Sequence, residues 1–208
     1  MSSYKITYFT TRGRAEAIRL LLTDAGIDFE DVRLTPDEWM KVKESGDFPL
    51  KQLPIVEIDC QTEVQSKAIL RHLARKYGYN GQSEEEAFRI DVICEALEDL
   101  TRPMWDFVFG QFDEEVKVKL KEVWLKTTCP LYVNFLNQKI SENSQQSGYF
   151  VGENISMADF IFYAFIESVV NMAPGALDQY PKLRANREVV RSRDRIATFL
   201  AKHSTSFM

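Results

Sequence analysis

Residues 51 to 66, Lys-Gln-Leu-Pro-Ile-Val-Glu-Ile-Asp-Cys-Gln-Thr-Glu-Val-Gln-Ser, constrain this chain more than any other stretch. Pro54 has no backbone N–H to give a sheet ladder, so it belongs at the start of the apolar run Ile55-Val56-Glu57-Ile58, which reads as a buried strand. A proline in a tight functional turn is also the usual home of a cis peptide bond. A polar turn follows, then Gln65-Ser66, then the helical spacing Ile69, Leu70, Leu73, Tyr77. Ser66 suits the N-cap of that helix. A capped helix start offers free N–H groups and the positive end of the helix dipole, which suits a carboxylate. The same residues also make a plain strand–turn–helix unit with no ligand, and the stretch by itself does not choose.

The chain's 208 residues are enough for two small domains, and 45% of them are hydrophobic, enough for a real core. The formal net charge of -5 argues against nucleic acid or an anionic membrane surface as the main partner. No run approaches ~20 apolar residues, so no transmembrane helix is expected. The N-terminus enters a strand pattern at once, with no apolar signal segment. Cys60, Cys94 and Cys129 are odd in number and far apart, which fits neither a disulfide framework nor a zinc site. No metal is expected, and a reducing, cytoplasmic location is the simplest one.

Read in order, Tyr4 to Phe9 is a strand, Thr10-Thr11-Arg12-Gly13 a loop, and Arg14 to Ala25 a helix stopped by Gly26. Phe29 to Leu34 is a second strand, and Pro36 to Lys43 a short helix or turn. The strand after Pro54 gains a partner near Thr62-Glu63-Val64, and the helix from Ser66 runs to about Lys76. Residues 79–84, rich in turn formers, read as a linker between a mixed domain, 1–78, and an all-helical one, 85–208. Ile90, Ile93, Leu97, Leu100 and Met104 mark one long helix that Pro103 should kink or end. A second long helix spans about Glu114 to Lys139 with Pro130 inside it, followed by a polar loop, 141–148. At Ile155-Ser156-Met157-Ala158-Asp159-Phe160, Ser156 caps a helix with Asp159 as reciprocal partner, and Ile155 with Phe160 staples it, a purely structural motif. Pro174 and Pro181 punctuate two shorter helices before a tail, 204–208.

The motif Tyr4-Lys-Ile-Thr-Tyr8-Phe9, then Arg12-Gly-Arg14-Ala-Glu16 and Ile18-Arg19, closely resembles the opening of sigma-class cytosolic glutathione transferases and their nematode relatives. Trp39 with Lys43, Gln52-Leu53-Pro54, Gln65-Ser66 and the segment 152–159 fall in that family's order and spacing. The resemblance implies an α/β thioredoxin-like domain followed by an all-α domain, and glutathione as co-substrate. It implies that Tyr8 is catalytic and that Arg14 sits near the sulfur. Trp39, Lys43 and Gln52 would hold the glycyl end, and Leu53 would pair with the cysteinyl backbone beside a cis Pro54. Gln65 and Ser66 would hold the γ-glutamyl end, with Asp99 reaching its amine from a second subunit. One departure stands out: relatives usually carry Pro-Phe-Gly before Gln-Leu-Pro, and here the chain reads Pro49-Leu50-Lys51.

A free thiol ionises near ~8.5, so an enzyme that uses glutathione as a nucleophile must stabilise its thiolate. A phenol O–H does so by donating a hydrogen bond to the charged form. On its residues alone Tyr8 is equally a strand aromatic, Arg14 a solvated helix residue and Trp39 a packing anchor. Thr10 or Thr11 could serve in place of Tyr8, and with no cysteine in the first loop dithiol chemistry is excluded. The second substrate would be an apolar electrophile. Phe9 and Thr11 from the first loop, and Thr101, Met104 and Trp105 from the long helix, are candidates for its pocket. Ile161, Phe165 and the tail's Phe207 complete the set. The resulting function is conjugation of the glutathione thiolate to hydrophobic electrophiles, as in detoxification. The alternatives are a glutathione-dependent prostaglandin isomerase, a carrier of haem and other hydrophobic ligands, and a lens-type structural protein. Lys67, Arg71 and Arg75 recur every four residues on one helix, and Asp91, Glu95 and Asp99 on the next, as expected of complementary faces in a homodimer.

Overall fold

Alternation puts Tyr4, Ile6 and Tyr8 on one face of the first strand, and a computed structural model that describes residues 2–203 shows all three buried. This strand, β1 (Tyr4–Phe9), leads through a 3-10 turn into α1 (Glu16–Ala25), and Gly26 ends the helix in the left-handed conformation. β2 (Glu30–Leu34) pairs parallel to β1 with Thr7 opposite Val32, α1 forming the crossover that parallel pairing needs. α2 (Pro36–Val42) starts at a Thr35–Glu38 capping box. β3 (Ile55–Ile58) pairs antiparallel to β1 with Ile6 opposite Val56, and β4 (Gln61–Glu63) closes a sheet of order β2-β1-β3-β4. Ile6 and Val56 have no exposure, so the core of this unit sits against the sheet's central pair. α3 (Ser66–Tyr77) packs on α1.

The long helix α4 (Glu84–Phe109) begins at the Ser83 cap and runs through Pro103 rather than ending there. Pro103 leaves the Asp99 carbonyl without a helical donor. Next to it, the buried indole of Trp124 donates to the Leu100 carbonyl at 2.8 Å and ties this turn to the following helices. The second long helix of the sequence reading is three segments: α5 (Glu114–Val123), a π-helical turn over Trp124–Thr128, and α6 (Cys129–Glu142). The Cys129 N–H reaches the Trp124 carbonyl, five residues back, just before Pro130, which has no N–H to continue the regular ladder. α7 (Met157–Met172) is buried from Met157 to Val169 and forms the centre of the helical unit. α8 (Pro181–Arg191) follows it.

The two compact units are Met1–Tyr79 with Arg191–Met208, and Asn80–Val190. The sequence reading assigned everything after residue 85 to the helical domain. The difference is α9 (Asp194–Lys202), which packs on α1. Arg193 holds the buried Asp24 carboxylate through Nε at 2.6 Å and Nη2 at 2.9 Å, and the Tyr79 hydroxyl donates to it at 2.9 Å. Arg195 donates to the Asp24 carbonyl. A charged pair so distant in sequence leaves no periodic signal.

The Ser156–Asp159 motif forms as the sequence suggests and goes further. The fully buried Asp159 carboxylate accepts from the backbone of Ser156 at 2.8 Å, the backbone of Phe150 at 3.0 Å and Asn186 Nδ2 at 2.7 Å, and bonds the Ser156 hydroxyl at 2.9 Å. Asp159→Ala leaves three buried donors without an acceptor and should cost about 3–5 kcal/mol in urea unfolding. A loss under about 1 kcal/mol would refute the role given to this carboxylate.

Candidate functional site

The loop after β1 is fixed from behind by the guanidinium groups of the buried Arg19 and the half-buried Arg33. Arg33 Nη1 donates to the Thr10 carbonyl at 3.3 Å, and Arg19 Nη1 to the carbonyls of Thr11 and Arg12 at 3.3 and 3.4 Å. Asp31 bridges Arg19 and Arg33 at 2.9 and 2.8 Å, while Glu16 lies 3.4 Å from Arg19 and 3.8 Å from Arg12. Arg12, Arg19 and Arg33 thus share the carboxylates of Glu16 and Asp31. The Arg19 guanidinium carbon is 5.9 Å from the centroid of the Tyr8 ring.

The constrained loop delivers Gly13 and Arg14 to Tyr8. The Arg14 backbone N–H donates to the Tyr8 hydroxyl at 3.3 Å. A Cβ on Gly13 would stand 2.5 Å from that hydroxyl, and the backbone there has φ +41°, so this approach needs glycine. Burial pushes the Tyr8 phenol above its ordinary range, opposed by the Arg14 N–H and the charges of Arg14 and Arg19. The phenol therefore keeps its proton at neutral pH, and an oxygen that already accepts from Arg14 has that proton available to donate.

A cleft of about 490 Å³, within the range of small-molecule sites, opens beside this loop in the same unit. It gathers most of the expected site residues: Phe9, Arg14, Trp39, Gln52, Leu53, Pro54, Gln65 and Ser66 line it. The Leu53–Pro54 peptide is cis. Trp39 is also a packing residue, set edge-on to Phe48 at 4.8 Å and to Phe9 at 6.3 Å. Arg14 and Lys51 are the cations of the lining, which holds no carboxylate.

One expectation needs correction. Ser66 is not the N-cap of α3 but its first helical residue. Gln65, at φ 71°, carries the carbonyl that accepts the first helical bond, from Ile69 N–H at 3.0 Å. Lys51, singled out in the sequence only as a departure, also lines the cleft, and Lys43 follows α2 as its C-terminal cap. Leu50 and Val64 line it as well and carry no sequence signal.

The remaining candidates are placed as follows. Thr11 is half-buried in the first loop. Thr101 and Met104 are wholly buried, and the Thr101 hydroxyl is used by the Leu97 carbonyl. Ile161 and Phe165 are buried on α7. Trp105 keeps solvent-facing surface and stacks on the exposed Phe109 at 5.7 Å. Asp99 lies near Tyr132 and Arg102 in the helical unit. Phe207 lies outside the described residues. A second depression of about 340 Å³ in the helical unit holds Arg89 and Lys139, each paired with a carboxylate, Glu85 and Glu142. With Glu86 its lining carries three carboxylates against two cations, the opposite balance to the first cleft.

The glutathione S-transferase N-terminal domain family matches residues 4–75, and the C-terminal domain family residues 98–203. A glutathione S-transferase of Dirofilaria immitis is 32% identical over 206 residues, spanning 99% of this chain and 96% of that protein. S-crystallin SL11 of Nototodarus sloanii is 32% identical over 207 residues, 99% of each. The solved Nu-class transferase of Haemonchus contortus superposes with a TM-score of 0.84 at 34% identity, covering 100% of both chains. A thioredoxin-like sheet followed by a helical unit, matched to these domain families at both ends and to relatives over its whole length, makes this chain a member of the glutathione transferase family, an enzyme joining the glutathione thiolate to hydrophobic electrophiles.

Proposed function

We propose that the cleft of the first unit holds glutathione and that Tyr8 activates its thiol. The observation that carries this reading is the contact at Tyr8: a buried, protonated phenol whose oxygen is already engaged by the Arg14 N–H and whose hydrogen is left to donate. A donor of that kind lowers the energy of a thiolate relative to the thiol. The thiolate then attacks the electrophile, forming the carbon–sulfur bond as the electrophile's leaving group or π-electron pair departs from that carbon. Arg14, on the same cleft wall, adds positive field for the anion. Trp39, Lys43 and Gln52 serve the glycyl end, the Leu53 backbone the cysteinyl backbone, and Gln65 with Ser66 the γ-glutamyl end. This set speaks for catalysis over a purely structural role, even though an S-crystallin is among the relatives.

The finer reading adds detoxification in the cytoplasm by a homodimer in which Asp99 of a second subunit reaches the γ-glutamyl amine. The complementary charge of Lys67, Arg71 and Arg75 against Asp91, Glu95 and Asp99 supports the dimer. Arg71→Glu should weaken it, and sedimentation showing an unchanged dimer at low concentration would count against that contact.

Tyr8→Phe removes one donor and leaves the ring in place. Binding of glutathione should survive, and the bound thiol should titrate closer to its value in water. Conjugation of an aryl halide at neutral pH should slow by roughly 10- to 100-fold, the equivalent of about 1.5–3 kcal/mol for a charged hydrogen bond. The deficit should shrink as pH rises, because the thiol then ionises unaided. Thiolate absorbance against pH on both proteins is the direct measurement, and identical curves would remove Tyr8 from the mechanism.

Ser66→Ala should weaken glutathione binding several-fold. Because Gln65 rather than Ser66 caps α3, the unfolding midpoint should stay nearly unchanged. Calorimetric titration beside urea unfolding separates the two effects. A stability loss of about 1 kcal/mol with unaltered affinity would return Ser66 to a capping role.

A further inference from the structure

Glu86 stands in the first turn of the long helix α4, where its backbone N–H donates to the Ser83 hydroxyl at 3.1 Å. Its side chain is fitted between two glycines. A Cβ on Gly81 would lie 2.7 Å from the Glu86 Cβ, and one on Gly152 would lie 2.9 Å from Glu86 Oε1, with φ +79° and +67° at the two positions. The Gly152 side of this cradle is fixed, because its carbonyl accepts from Asn143 Nδ2 at 2.9 Å and from the Ser147 hydroxyl at 2.7 Å. The Gln82 N–H donates to Glu86 Oε2 at 2.6 Å, so that oxygen serves the helix start. Oε1 accepts no hydrogen bond, and the carboxylate meets no cation, among the described residues.

This carboxylate lines the depression of about 340 Å³ in the helical unit. The other charges of the lining pair with each other, Glu85 with Arg89 at 3.1 Å and Glu142 with Lys139 at 2.8 Å. Such open pairs exchange readily, but no exchange removes the one surplus negative charge. Val92, Ile93 and Phe150 supply apolar surface, and Phe88, in the same lining, is 64% exposed. Apolar surface converging with a placed polar group is the composition of a small-molecule site.

We propose that this depression is a second binding site, for an organic cation with an apolar body: the ammonium pairs with Glu86 while the body covers Phe88 and Val92. The site lies wholly within the helical unit and is independent of the glutathione reading. A neutral compound of the same shape gains the apolar contacts without the ion pair.

Calorimetric titration with 2-naphthylmethylamine, an ammonium at neutral pH, and with its neutral analogue 2-naphthylmethanol tests this in native protein, Glu86→Gln and Phe88→Ser. Excess S-hexylglutathione is present to occupy the first cleft. Glutamine keeps an acceptor for the Gln82 N–H and removes the charge. Native protein should bind the amine more tightly than the alcohol, an advantage that shrinks as salt rises. Glu86→Gln should weaken the amine about 3- to 10-fold, as for one partly exposed charge contact, and leave the alcohol unchanged. Phe88→Ser, a change at an exposed position, should weaken both. Native protein that binds no amine, an amine bound no more tightly than the alcohol, or native amine affinity in Glu86→Gln overturns the site. Should the glutamine variant not fold, Phe88→Ser decides, and native amine affinity in that variant overturns the proposal.

Discussion

The Arg14 amide can reach the Tyr8 hydroxyl only because residue 13 has no Cβ and can hold a positive φ. That single approach decides what the cleft can do. It aligns the phenol by occupying one side of its oxygen, and it brings Arg14 to the wall where an anion would sit. The approach is held in turn from behind. Three successive carbonyls of the loop, at Thr10, Thr11 and Arg12, are taken by guanidinium groups of Arg33 and Arg19. Those groups are in turn paired with Glu16 and Asp31. A loop tied down in this way can hold a reactive group in place without a rigid element of its own, as preorganised electrostatic stabilisation requires.

The charge of the whole chain runs the other way. Asp and Glu outnumber Lys and Arg by 31 to 26, so an anionic ligand meets an unfavourable average field. At physiological salt that average is screened beyond about 8 Å, and only charges lining the cleft act at full strength. There Arg14 and Lys51 stand without a carboxylate in the lining. Local arrangement thus overrides composition, so a net charge that argues against nucleic acid or an anionic membrane as the main partner says nothing against a small anion.

Much of the first unit was legible in the sequence because its signals are local. Pro54 had to precede β3, the apolar alternation of β1 had to face a core, and Gly26 had to stop α1. Ser156 and Asp159 carried their capping arrangement in four residues. What escaped depends on geometry that a linear pattern does not encode. Whether Gln65 or Ser66 begins α3 turns on one positive φ. Lys51 looks like any surface lysine by type, and only the path of the backbone brings it to the cleft. Pro130 announced an interruption, but the π-helical turn before it follows from how the ladder adjusts upstream of a missing donor. The buried cluster around Arg19 joins α1 to β2, and its members look like ordinary surface charges until the strands are paired.

The clasp of Asp24 by Arg193 also bears on how the protein is made. The two residues are 169 positions apart, and α9 belongs to the same unit as α1. At about 5–20 residues per second, synthesis separates their appearance by roughly 8–34 s. Through that interval the nascent sheet domain carries α1 without its cover and Asp24 without its arginine, while the intervening 80–190 segment is still being translated. The sheet domain is therefore completed only after segment 80–190 has been made, rather than on emergence of its own N-terminal sequence.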